Sequence, residues 1–349
     1  TGFQVAGSAS QINASGDTYI YIAIRRGPMR TPTTGTSVLG IVSRNGTGAN
    51  ASISAGITTD LAITKVRGYN TGTANYAFGW WDRLRGANNV LQSNATNADN
   101  TTFTDALIGF DNQLGVRVGP EANSVFVNRA DGTLDGIFIN YFFRRAPSFF
   151  DEVCYTGTGV ARTVSHNLGV VPELMIVKCR SSAFMWPVYS ASISNSEFLD
   201  LSSTSGKASG ATRWDSTSPT STVFTVGSSS STNNGGDTYV AYLFASCPGV
   251  SKIGSYTGNG SSQTIDCGFA AGARFVMIKR TNTSGDWYVW DTARGIVAGN
   301  DPRLSLNTTA AEVTTDDTID TASSGFVVNQ VTATNVNVNA ATYIFMAVA

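Results

Sequence analysis

Apolar residues in this chain fall into short runs separated by clusters of Gly, Asn, Ser and Thr. Runs of strand length, rich in β-branched and aromatic residues, read as β-strands. Leu174-Met175-Ile176-Val177-Lys178 and Phe275-Val276-Met277-Ile278-Lys279 are almost continuously apolar, which predicts central strands buried on both faces. Residues 239–246 and 343–349 read the same way. Trp287-Tyr288-Val289-Trp290 is aromatic and β-branched, again a strand composition. Phe326-Val327-Val328 and Val223-Phe224-Thr225-Val226 are expected to pair antiparallel with the closing strands. A helical period is weak throughout, and residues 103–114 are expected to form one short helix turn. Pro28, Pro147 and Pro248 each follow a closing strand, where proline stops sheet pairing.

The runs recur in a fixed order. Tyr155-Thr156-Gly157-Thr158-Gly159 returns as Tyr256-Thr257-Gly258-Asn259-Gly260, an offset of 101 residues. At that offset Lys178 meets Lys279, Trp186 meets Trp287 and Tyr189 meets Trp290. A more divergent copy lies upstream, where residues 60–67 resemble 173–180 and Trp81-Asp82-Arg83-Leu84-Arg85-Gly86 resembles Trp290-Asp291-Thr292-Ala293-Arg294-Gly295. Ile22-Ala23-Ile24-Arg25-Arg26-Gly27-Pro28 echoes residues 141–147, so residues 1–28 read as the last hairpin of an upstream copy. The expected fold is all-β, with tandem β-sandwich or jelly-roll-like domains of about 100 residues. Their expected bounds are 29–149, 150–249 and 250–349, after the hairpin 1–28, arranged as beads in a row.

Composition narrows the functions open to such a chain. Its 349 residues carry 23 basic and 24 acidic side chains, a net charge of -1, which gives no basic face for nucleic acid. Only 13% of residues are charged, yet 42% are hydrophobic, so the chain is folded and its surface is uncharged and polar. No apolar run approaches the roughly 18 residues of a membrane span, so no membrane insertion is expected. Cys154, Cys179, Cys247 and Cys267 are scattered and His166 is the only histidine, which points to free thiols and no metal site.

The W-D-x-x-R-G element is the sharpest motif. Its residues Trp81, Asp82, Arg85, Trp290, Asp291 and Arg294 are read as structural, with the Trp in a core and the Arg paired to the Asp, because a binding site is seldom stamped into several copies. Trp80 and Trp214 are the candidate surface aromatics for a ligand. His166 has no nucleophile at a known position and its counterpart is Cys267, so no catalysis is expected. The few glutamates do not repeat, which argues against a glycosidase pair. No cofactor is expected.

The Y-T-G-x-G openings at Tyr155 and Tyr256, the apolar strands ending in Lys178 and Lys279, the W-x-V-W-D stretch at Trp287 and the closing strand at Thr342 resemble a domain of unknown function found in tail-fibre and other structural proteins of marine tailed phages. The resemblance implies a non-enzymatic virion component, assembled in the host cytoplasm and engaged in host attachment. Its expected partners are other virion proteins, further copies of the chain as a homotrimer, and a host-surface glycan or protein. A scaffold or decoration protein, or a secreted lectin-like protein, are the alternatives. The closing strands carry no charge, and an uncovered edge there would invite a symmetric partner.

Overall fold

The computed structural model describes residues 14–19, 29–70, 72–110, 112–120, 126–130, 132 and 135–349. Residues 31–349 form one compact unit, and residues 1–30 a second. In the second, the Ala14 N–H donates to the Tyr19 hydroxyl at 2.6 Å. The hairpin expected over 1–28 lies almost wholly outside the described residues.

The compact unit is all-β and antiparallel, built on three large sheets. The first runs in the spatial order Leu39–Asn45, Gly136–Phe143, Leu61–Tyr69, Gly79–Asp82, Leu91–Gln92. The third runs Ser251–Thr257, Thr342–Val348, Phe275–Arg280, Trp287–Asp291, Leu304–Ser305, the same order of connections. The second runs Phe150–Thr156, Thr238–Phe244, Leu174–Cys179, Pro187–Ser190, Glu197–Asp200, with Ala208–Ser209 added at its edge. A small sheet covers one face of each. These are Ala51–Ser54 with Gly115–Val118 and Leu107–Gly109, Arg162–Ser165 with Val223–Val226, and Gln263–Asp266 with Gly325–Val328 and Ile319–Ala322.

Strand alternation explains the near-continuous apolar runs. Met175 and Val177 pack into the second sandwich, while Leu174 and Ile176 point the other way. Val276 and Ile278 pack into the third sandwich, while Phe275 and Met277 point the other way. The outward faces of all three large sheets meet in one shared core. Phe143 of the first sheet touches Phe244 of the second at 5.7 Å between ring centroids and Phe275 of the third at 6.2 Å. Trp80 of the first sheet lies 5.4 Å from both Trp186 and Tyr242 of the second. Ile63, Ile176 and Met277 line an apolar pocket of about 20 Å³ among the three sheets.

Five expectations from the sequence need correction. Gly325–Val328 and Val223–Val226 do not pair with the closing strands, which are enclosed in the large sheets; they pair with Gln263–Asp266 and Arg162–Ser165 in the small sheets. The sandwiches are not beads in a row, because each contributes a whole sheet face to the common core. Trp80 and Trp214 are not surface aromatics: they are 2% and 0% exposed, Trp80 in the shared core and Trp214 in the second sandwich. The described residues of 103–114 form no helix, since Leu107–Gly109 pairs with Gly115–Val118 and buries Leu107; among the described residues the α-helical turns are Ala211–Trp214 and Ser230–Asn233. The closing strand Thr342–Val348 is no uncovered edge, because it lies between Ser251–Thr257 and Phe275–Arg280. The ground for a symmetric partner at that edge is therefore removed.

Candidate functional site

The D-x-x-R-G turn is built from one carboxylate. Asp82 Oδ1 accepts the Arg85 N–H at 2.8 Å and its Oδ2 accepts the Arg85 Nε–H. Asp291 repeats this with Arg294 at 2.9 and 2.5 Å. Gly86 and Gly295 then turn away at φ of 91° and 116°, a region that suits glycine. Both arginine side chains are fully buried. The adjoining Trp81 and Trp290 are 0% exposed, in the first and third sandwiches. The six side chains of the motif are thus all enclosed.

The turn does more than close a loop, because its carboxylate receives a hydroxyl from another sheet. Tyr242 of the second sheet donates to Asp82 Oδ2 at 2.7 Å, and Tyr141 of the first donates to Asp291 Oδ2 at 2.8 Å. Burial raises both tyrosines well above their ordinary pKa, so each keeps the proton it donates. Burial alone would lower Arg85, but Asp82, Tyr242 and Asp99 around it outweigh that and raise it. A second acid extends each chain of contacts across the seam. Arg85 meets Asp99, which Arg180 of the second sheet meets at 3.0 Å. Arg294 meets Glu312, which Arg67 of the first sheet meets at 2.7 Å.

A buried lysine lies in each seam. Lys178 donates to the Thr96 carbonyl at 3.1 Å, Lys279 to the Thr204 carbonyl at 2.8 Å, and Lys65 to the Ala310 carbonyl at 2.9 Å. The second sheet thus holds a loop after the first, the third holds the loop between Glu197–Asp200 and Ala208–Ser209 of the second, and the first holds a loop after the third. The contacts close a ring. Burial pushes Lys65 down to about 7, with Arg294 adding to the fall and Glu312 opposing it. Burial likewise pushes Lys178 and Lys279 down to about 8. Lys178 sits 6.0 Å over Trp186, Lys279 5.9 Å over Trp287 and Lys65 4.9 Å over Phe78, so aromatic faces replace part of the lost water.

The seam between the second and third sheets lacks the ionic chain. By strand register Ser190 stands where Asp82 and Asp291 stand, with Ile193 in place of the arginine. Met346 stands in place of Tyr141 and Tyr242, each opposite the same position of a neighbouring strand. Thr281, two residues past Lys279, takes the place of Arg67 and Arg180.

The remaining chemistry is enclosed. His166 is 6% exposed; its Nδ1 accepts the Leu168 N–H at 3.2 Å and its Nε2 lies 3.1 Å from the Thr220 carbonyl, and burial lowers its pKa. Glu152 is buried with neither oxygen hydrogen-bonded, and burial, with Asp82 and Asp60 nearby, holds its carboxyl well above the usual range. The four cysteines are free, three of them buried. Among the described residues, no group of three or more His, Cys, Asp and Glu is placed to hold a metal ion. Nothing in the sequence marks the seam lysines beyond their place at the end of an apolar run, or Tyr141 and Tyr242 as partners of the motif.

Packed antiparallel β-sandwiches, joined by buried polar seams, define the class of this protein. The chain belongs to the family described as a domain of unknown function, DUF7483, whose pattern matches residues 143–349, more than half of its length. The match takes in the second and third sheets with their sandwiches and begins at the end of the first. No curated protein matches the chain.

Proposed function

We propose that this protein is a non-enzymatic structural component of a virion, placed in a tail fibre or another host-attachment appendage, and that its three sandwiches descend from one repeated unit. One observation supports the structural half of this reading: the ionisable side chains buried at the seams are spent holding sheets together. Lys65, Lys178, Lys279 and the two Asp–Arg pairs are buried at seams and saturated by one another or by carbonyls. The virion half rests on the resemblance of the Tyr155, Tyr256, Trp287 and Thr342 motifs to phage structural proteins. The same resemblance carries self-association as a trimer, tested by the mass of the purified chain in dilute solution.

Antibody raised against the recombinant chain and imaged on purified phage particles tests the placement. Label on an appendage is expected, and particles without label would overturn it. Incubation of the chain with host polysaccharide tests the other half; release of oligosaccharides would overturn the non-enzymatic reading. A carbohydrate-binding role without hydrolysis is the second reading, and the seam between the second and third sheets favours it.

A further inference from the structure

The two ionic seams and the third differ in what their side chains leave behind. Replacing a Tyr, an Asp and two Arg by Met346, Ser190, Ile193 and Thr281 removes charge and bulk from one seam only. At that seam a cleft of about 420 Å³ opens, within the range of small-molecule sites. Its polar lining is Ser192 and Lys207 from the second sheet's loops, with Ser255, Thr257, Thr281 and Thr342 from the third. Ile193 and Ile344 add an apolar wall. We infer that this cleft binds a neutral saccharide.

The lining selects that class. Three hydroxyls, those of Ser192, Ser255 and Thr257, offer both donors and acceptors, as a sugar does; the Thr281 and Thr342 hydroxyls, bonded to each other at 2.6 Å with Thr281 donating to the Thr342 carbonyl at 3.0 Å, add acceptor lone pairs. Lys207, the cation there, is paired with Glu197 at 2.9 Å, which leaves little unbalanced charge for an anion. Ser251–Thr257 is the edge of its sheet. Ile253 turns its N–H and carbonyl outward to the Ser246 hydroxyl, at 3.0 and 3.4 Å. Strand alternation turns those of Ser255 outward as well, toward the cleft. A peptide adding as a strand would need a longer edge, and the Thr257 carbonyl is already taken by Gln263 at 3.1 Å. The inference does not require the chain to be a virion protein.

The test is titration of the isotope-labelled full chain with glucose, galactose, mannose and N-acetylglucosamine, read by amide chemical shifts. N-acetylneuraminic acid and inorganic phosphate form the charged arm. At least one neutral sugar is expected to move the amides of Ser255, Thr257, Thr281 and Thr342. Ser255→Trp, at an exposed position, is expected to weaken that binding at least tenfold, while Ser228→Trp, elsewhere on the surface, leaves it unchanged. Thr342→Lys, also exposed, serves if Ser255→Trp fails to fold. Shifts confined to other residues, response to the charged arm alone, no response to any sugar, or undiminished binding by a folded variant would each overturn the inference.

Discussion

Tyr242 donates its hydroxyl to Asp82 across a separation of 160 residues, and the carboxylate it reaches is the one that also holds Arg85. One acidic side chain thereby ties a local turn to a distant sheet. Tyr242→Phe removes a single hydrogen bond to a charged group and is expected to cost about 1.5–3 kcal/mol. Asp82→Ala leaves Arg85 buried with Asp99 as its one acidic partner beside the Trp80 and Asn89 carbonyls, so a larger loss of about 3–5 kcal/mol is expected. Urea unfolding at unchanged slope measures both, and an Asp82→Ala loss no larger than that of Tyr242→Phe would contradict the shared-carboxylate geometry.

The seam lysines make stability depend on pH. Folded Lys279 titrates at about 8 against an ordinary 10.5, so between those values the unfolded chain binds more protons. Stability therefore rises with pH over that window, by about 1 kcal/mol from pH 7 to 9 for such a group. Burial raises Cys154 and Cys267 from 9.0 to about 11 and about 12, so above pH 9 the folded chain keeps protons the unfolded one loses and stability falls. Thermal unfolding at pH 7 and 9 checks this. The rise in Tm is expected to be smaller in Lys279→Met than in the parent, and equal rises would refute the lysine's part.

All six tryptophans, Trp80, Trp81, Trp186, Trp214, Trp287 and Trp290, are buried. The native protein is expected to emit at short wavelength and to resist acrylamide quenching, with both properties lost in guanidinium. Quenching in the native state comparable to that of free tryptophan would show that at least one ring reaches solvent.

Because three sheets share one core, a single sandwich cut from the chain exposes its large-sheet face to water. Residues 250–349 alone would uncover Phe275, Met277, Trp287 and Met346. Each such side chain is worth about 1.5–3 kcal/mol when buried. The fragment is expected to aggregate or remain unfolded, whereas residues 31–349 unfold in one cooperative step. A monomeric fragment with a dispersed amide spectrum would be incompatible with the shared core.

Much of the fold was legible because period-2 alternation reports how many faces of a strand are apolar. The run ending in Lys178 announced a strand buried on both sides, and the structure places Ile176 and Val177 in two different cores. Alternation does not say what covers the second face, which is why separate beads were expected. The same gap misplaced Trp80: it is next to Trp81, so the two rings must point to opposite faces, and the face of Trp80 is covered by sheets remote in sequence. Tyr189-Ser190 in place of Trp-Asp was visible in the sequence as a departure. Its meaning was not, because the partners Met346 and Thr281 are joined to it only by the closure of the ring.

That closure also sets an order of events during synthesis. Lys65 is made 245 residues before Ala310, whose carbonyl it holds. While the first sheet leaves the ribosome, the apolar face around Ile63 and Trp80 has nothing to pack against, and the ring can be completed only when the loop after Leu304–Ser305 has emerged. Contacts this distant in sequence are formed slowly, since long loops must close before they are rewarded. The nascent chain thus carries an exposed apolar sheet until Ala310 and the strands around it have emerged, a natural substrate for a chaperone that shields hydrophobic surface until the third sandwich arrives.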